Sequence, residues 1–255
     1  MMVICGTHFI LMFGILIHPK SDIRSAMKMS VIHPVFVLFL SLNLFGCFCC
    51  SMICLMNPGF LPQNEREGRE IEMGGCGERY CSECKITQPK RTRHCKRCGR
   101  CVSRYDHHCY ILGTCVGTKN KAVYWTFLLS EMILFGWMWM ISIMMIETDT
   151  DHWIGDILIP MIFFLITGAM TVIIGILFSI QSFLAMTNQT QWEFSRKDKL
   201  DYLLGVPEHV LPFDDGILLN LWSFFMDDDV HKVWFVKSNP TLLSHFLWND
   251  YYSCC

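Results

Sequence analysis

At 255 residues the chain has room for one or two ordinary domains, but with 52% hydrophobic and only 17% charged residues it is not composed like a water-soluble protein. Its mean hydropathy is +0.34. The net charge of −2 hides an uneven distribution of Lys and Arg and by itself implies nothing about nucleic acid; no nucleic-acid partner is expected.

The apolar residues come in blocks. Residues 3–17, 29–56, 122–146 and 157–186 carry almost no charge, and about 20 apolar residues are what a helix needs to cross the hydrocarbon core. The first block resembles the hydrophobic part of a signal peptide in length, but no Lys or Arg precedes it, so a span is expected. The other three have the length and charged flanks that separate spans from buried soluble helices. Inside them, Glu131 and Asn43 are expected to face neighbouring spans, because polar groups exposed to lipid are costly.

Topology follows from Lys and Arg. Residues 57–121 carry 13 of them, the tail from 187 onward carries 5, residues 18–30 carry 3, and residues 147–156 carry none. Four spans put the 57–121 loop and the tail on one side, which the positive-inside bias makes cytosolic together with both termini. The expected architecture is an all-α integral membrane protein of four transmembrane helices, with a small zinc-bound cysteine-rich cytosolic domain between the second and third. Its parts are 1–56, with the first two helices; 57–121, the cysteine-rich domain; 122–186, with the last two; and 187–255, a cytosolic tail. Residues 213–226 of that tail mix aromatic, aliphatic and acidic side chains and are expected to lie along the membrane or cover the cysteine-rich domain.

Seven of the fifteen cysteines fall within residues 81–115. In a reducing cytosol that density points to metal rather than disulfides. A shift of 14 residues carries Cys81 to Cys95, Cys84 to Cys98, His94 to His108 and Cys101 to Cys115. Two copies of one ligand frame are thus interleaved, each offering three thiolates and an imidazole, the usual shell of a structural Zn²⁺ site. Such full shells leave no open position for a reacting water, so two structural zinc ions are expected to hold the loop folded.

Asp106, His107 and Cys109 are left over. A thiol, an imidazole and a carboxylate are the parts of an activated nucleophile: the imidazole takes the thiol proton, and the carboxylate orients the ring and stabilises its cation. About a dozen residues separate Cys109 from the span beginning at Ala122. A nucleophile at the cytosolic membrane face suits a substrate with one soluble and one greasy end.

Asp106-His107-His108-Cys109 inside this cysteine-rich loop, together with Pro89, Arg93, His94, Cys95, Gly117 and Asn120, resembles the DHHC protein S-acyltransferases (palmitoyltransferases). The resemblance implies a two-step reaction in which Cys109 takes a fatty acyl group from acyl-CoA, as acyl-donor substrate, and passes it to a cysteine of a membrane-associated protein. It implies His107 as base, Asp106 as its orienter, an acyl pocket between the spans, long-chain acyl-CoA and protein substrates as partners, and a Golgi or ER membrane. Departures from the family pattern are "YILGTC" after the nucleophile, Asn57-Pro58-Gly59 in place of Asp-Pro-Gly, and "TQWE", in which Thr190 and Glu193 are kept and Gln191 replaces a Thr thought to position the Asp. Gly216 and Asn220 resemble the family's C-terminal packing motif.

The rival expectation is a weakly active or inactive membrane adaptor that keeps the zinc fold to bind partners; a RING-like ubiquitin ligase fits less well, having no need of a spare Asp-His-Cys set. Cys47, Cys49, Cys50 and Cys54, and the terminal Cys254 and Cys255, are candidate lipidation positions, with packing the more economical role for the first four.

Overall fold

The computed structural model describes residues 6, 10–11, 13–15, 34–62, 79–146, 154–204, 206–207, 210–227 and 234. Most of the first expected span, residues 147–153, and Cys254 and Cys255 lie outside that set. Three helices among the described residues are long and apolar enough to cross a membrane: α1 (Pro34–Leu55), α2 (Lys121–Met144) and α3 (Ile159–Met186). At 1.5 Å per residue the shortest, with 22 residues, extends about 33 Å, against a hydrocarbon core of about 30 Å. Pro34 opens α1, a position where the missing N–H has no helical partner to lose. One turn of π-helix, Ile154–Leu158, leads into α3.

The chain divides into two compact units, residues 1–52 with 124–180 and residues 53–123 with 181–255. In the first unit the core joins Leu11 and Ile15 to Phe39, Leu134, Phe135, Met138, Ile141 and Met145. Its hydroxyl groups turn back on their own helices: Thr167 Oγ1 donates to Phe163 O at 2.7 Å, Thr171 Oγ1 to Thr167 O at 2.8 Å and Ser179 Oγ to Gly175 O at 2.7 Å. In lipid no water is present to serve them. Asn43, itself buried, does the same, donating through Nδ2 to Phe39 O at 2.8 Å within α1. Glu131 is buried, with 3% of its surface exposed.

The second unit departs from the all-α expectation. Its cysteine-rich segment is built from three antiparallel hairpins of three-residue strands: β1 (Arg79–Cys81) with β2 (Ile86–Gln88), β3 (Arg93–Cys95) with β4 (Arg100–Val102), and β5 (His107–Cys109) with β6 (Thr114–Val116). Every strand lies 14 residues after its counterpart in the preceding hairpin. The register repeats as well, with Cys81 opposite Ile86, Cys95 opposite Arg100 and Cys109 opposite Thr114. So do the turns: Lys85, Gly99 and Gly113 all have positive φ, at 55°, 62° and 71°. Each of the three N–H groups donates at 2.8 Å to the carbonyl of Cys81, Cys95 or Cys109. Two of the three positions hold glycine, the residue for which a left-handed backbone carries no Cβ penalty.

Asn57 Oδ1 closes the turn after α1 by accepting from the N–H groups of Gly59 at 2.9 Å and Phe60 at 2.7 Å. The chain then joins the middle hairpin through Leu61 N–H to Cys101 O at 2.9 Å. Gly117 is required by close approach, since a Cβ there would come within 2.6 Å of Pro58 O. The tail contributes α4 (Gln191–Arg196) and α5 (Ile217–Met226). Asn220, fully buried on α5, accepts from Asp215 N–H at 2.9 Å and donates to Met186 O at 2.6 Å. Leu218, Trp222 and Met226 of the same helix are exposed.

Candidate active site

Two sets of donors converge in the hairpins. Cys81, Cys84, His94 and Cys101 form one, and Cys95, Cys98, His108 and Cys115 the other, the ligand atoms of each lying within 4.8 Å of one another. These are the two interleaved frames. Each set takes its CxxC pair from one hairpin and its His and last Cys from the next, so each joins neighbouring hairpins.

The spacing fits a tetrahedral ion. Zinc bound at ~2.3 Å to sulfur and ~2.05 Å to nitrogen at tetrahedral angles separates those atoms by ~3.6 Å. From His94 Nδ1 the sulfurs of Cys81, Cys84 and Cys101 lie at 3.6, 3.2 and 3.9 Å. From His108 Nδ1 those of Cys95, Cys98 and Cys115 lie at 3.6, 3.4 and 3.5 Å. Gln88 Nε2 donates to Cys101 Sγ at 3.0 Å, an outer contact that favours the thiolate.

Cys109 stands where Cys81 and Cys95 stand, one hairpin on. In the first two hairpins the N–H groups two and three residues ahead, of Glu83 and Cys84 or of Arg97 and Cys98, donate to the leading sulfur. In the third those of Ile111 and Leu112 donate to Cys109 Sγ. Leu112 replaces the second knuckle cysteine. The turn that supports a zinc thiolate twice is used a third time around a thiol outside both metal frames.

Asp106, His107 and Cys109 form a connected chain. His107 Nδ1 lies 2.7 Å from Asp106 Oδ2 and the ring also hydrogen-bonds Cys109. Burial alone would lower the His107 pKa, but the Asp106 and Cys109 partners outweigh it and raise it to about 9. Burial pushes the Cys109 thiol up, and the His107 bond with the Leu112 and Ile111 N–H groups brings it below its ordinary value. Burial likewise acts to raise Asp106, and hydrogen bonds from His107, the Gln191 backbone and Gln181 hold it below the usual carboxylate range. Both partners thus favour the thiolate–imidazolium pair.

Asp106 is 7% exposed, and the tail supplies two of its donors. The Gln191 backbone N–H reaches Oδ1 at 2.6 Å and Gln181 Nε2 reaches Oδ2 at 3.0 Å. Gln191 is the first residue of α4, where N–H groups lack helical partners. Its side chain is exposed, so the contact needs a backbone and not a particular residue. Thr190 and Glu193 set that N-terminus as a capping box. Glu193 also holds Arg91 through two bonds of 2.7 Å with both side chains almost fully buried. Asn188, with φ 52°, ends α3, accepts from Arg91 and Arg104, and donates to Phe213 O at 2.7 Å.

Sequence reasoning did not find Gln181 or the third hairpin. The hairpin had a signal, since Cys109 follows Cys95, and Gly113 follows Gly99, by the same 14 residues. Gln181 had none, being 75 residues from Asp106. A cavity of about 410 Å³ lies along the first hairpin, lined by Arg79, Lys90, Arg93, Lys199, Tyr80 and Trp192 among others.

Comparison with known proteins agrees with this geometry. Residues 75–198 match the family described as DHHC palmitoyltransferase. The chain is 34% identical over 189 residues to "Putative ZDHHC-type palmitoyltransferase 7" of Dictyostelium discoideum, covering 69% of this chain and 43% of that protein. It is 34% identical over 205 residues to palmitoyltransferase ZDHHC12-A of Danio rerio, covering 74% and 75%. It is 32% identical over 143 residues to protein S-acyltransferase 10 of Arabidopsis thaliana, covering 56% and 42%. The chain therefore spans less than half the length of two of these relatives and three quarters of the third, and on this similarity, together with the paired Cys/His clusters, it belongs to the DHHC palmitoyltransferase family.

Proposed function

We propose that this chain is a protein S-acyltransferase that moves a long-chain acyl group from acyl-CoA, through a thioester on Cys109, to cysteines of membrane-associated proteins. The observation that carries it is the unbroken contact chain from Asp106 through His107 to Cys109, in a segment with two zinc-type donor sets. In the first step His107 takes the Cys109 proton and Sγ attacks the acyl-CoA carbonyl. The new C–S bond replaces the bond to CoA, whose sulfur leaves and takes the proton from His107. In the second step the acceptor thiol gives its proton to His107 and attacks the Cys109 thioester, and Cys109 departs as the thiolate. One thioester replaces another, so no oxidant, reductant or nucleotide is consumed.

Cys81, Cys84, His94 and Cys101 would hold one zinc, and Cys95, Cys98, His108 and Cys115 the other. When bound, each ion ties two hairpins together, with all four positions filled by protein. The basic cavity beside Arg79, Lys90, Arg93 and Lys199 suits the phosphates of CoA.

Three apolar helices make this a multi-pass membrane protein. Four spans with both termini cytosolic and residence in the Golgi or ER are the finer reading. It is supported by the 13 Lys and Arg of residues 57–121 and by the family. Against the adaptor alternative stands the hydrogen-bonded Asp106 carboxylate, held by His107, Gln181 and the Gln191 N–H, which partner binding does not require.

A transfer assay tests the proposal. Protein acylated on a single turnover and freed of acyl-CoA is mixed with a lipid-anchored peptide bearing one cysteine. Label should leave the protein and appear on the peptide as a thioester; label that stays on the protein or is lost only to water would overturn the transferase reading.

A further inference from the structure

We infer that Gln181 is a positioning residue for the Asp106 carboxylate, taking the part that the resemblance gives to a hydroxyl at position 191. The inference rests on the acyltransfer reading above. Gln181 lies in the last turns of α3, near Met186, with 7% of its surface exposed, and its Nε2 donates to Asp106 Oδ2 at 3.0 Å. That oxygen also meets His107 Nδ1, at 2.7 Å. The amide therefore fixes the very atom that orients the imidazole, while the Gln191 N–H holds the opposite oxygen.

The two donors differ in what can be varied. The one at position 191 is backbone, and every residue but proline supplies it. The one at position 181 is a side chain and needs an amide of this length. Without it, Asp106 Oδ2 keeps His107 alone and the carboxylate is anchored to the rest of the chain only through Oδ1, so the ring is aligned on Cys109 less firmly. Gln181 touches none of the reacting atoms and acts only through Asp106.

The test uses the full chain in detergent, with hydroxylamine-labile acylation from a labelled long-chain acyl-CoA as readout. Gln181→Met keeps the length and removes the donor. Loss of one donor to an ionised carboxylate is expected to lower kcat for Cys109 acylation about 10-fold, with KM for acyl-CoA and two zincs per chain unchanged. Introducing Gln191→Thr places a hydroxyl beside the N–H that already contacts Asp106, and Gln181→Met/Gln191→Thr should recover most of the loss relative to Gln191→Thr alone. Should Gln181→Met lose zinc, Gln181→Asn, which keeps an amide one methylene too short, replaces it under the same criterion.

A Gln181→Met enzyme that acylates at the wild-type rate overturns the inference and leaves the Cys109 reading intact. A loss that raises KM alone, or that the threonine does not recover, assigns Gln181 to packing and also overturns it. No Cys109-dependent label on wild type would instead remove the acyltransfer reading on which the inference rests.

Discussion

Leu112 stands in the third hairpin where Cys98 stands in the second, each donating its backbone N–H to the cysteine three residues before it. Cys95 belongs to a zinc-type donor set and Cys109 does not. Cys109, the proposed nucleophile, thus sits in a turn of the metal-binding kind with a leucine in place of the second thiol. A free thiol in an ordinary loop has pKa near 8.5; here the turn donates two N–H groups before His107 is counted.

The threefold turn predicts stability changes. Lys85 takes at φ 55° the position that glycine takes in the other hairpins. Lys85→Gly should stabilise the domain by about 1 kcal/mol, and Gly113→Ala should cost about 1–2 kcal/mol. Thermal unfolding followed by zinc release measures both; opposite signs would contradict the equivalence of the turns.

Removing metal should collapse the site. His94→Ala and Cys101→Ala are each expected to leave one zinc per chain instead of two, and a strong chelator to abolish acylation together with the fold of the hairpins. Metal content per chain, read beside circular dichroism, checks this. Two zincs retained in either variant would contradict the interleaved assignment.

The Arg91–Glu193 pair lies out of solvent. Truncating one partner strands a buried charge, and Arg91→Ala is expected to destabilise by about 3–5 kcal/mol. Glu193→Ala should be as costly and should slow acylation as well, because it removes the capping box that aims the Gln191 N–H at Asp106. Thermal midpoints in detergent and acylation rates of the two variants provide the comparison.

Asp106→Asn keeps the shape of the carboxyl but not the charge that stabilises the His107 cation. Acylation should fall by about 100-fold or more with zinc content unchanged. A variant with near-normal rate would remove Asp106 from the mechanism.

What was readable in the sequence was what lies close together along the chain. Ligand frames of Cys and His are set by turns a few residues long, so a constant 14-residue offset exposed them. Three-residue strands leave no periodicity to read, which is why the hairpins were absent from an all-α expectation. The third copy was hidden because Leu112 interrupts its CxxC pattern. Gln181 and the Gln191 backbone reach Asp106 across 75 and 85 residues, contacts that only the folded chain brings together. At position 191 the contact is made by an N–H that carries no sequence signature.

The most direct test of the account is whether Cys109 carries the acyl group. Purified protein and its Cys109→Ser variant, matched at two zincs per chain, are incubated with a labelled long-chain acyl-CoA and treated with hydroxylamine. The account predicts hydroxylamine-labile label on the wild type and none on the variant. Equal label on both, or none on a wild type that retains both zincs, would contradict it.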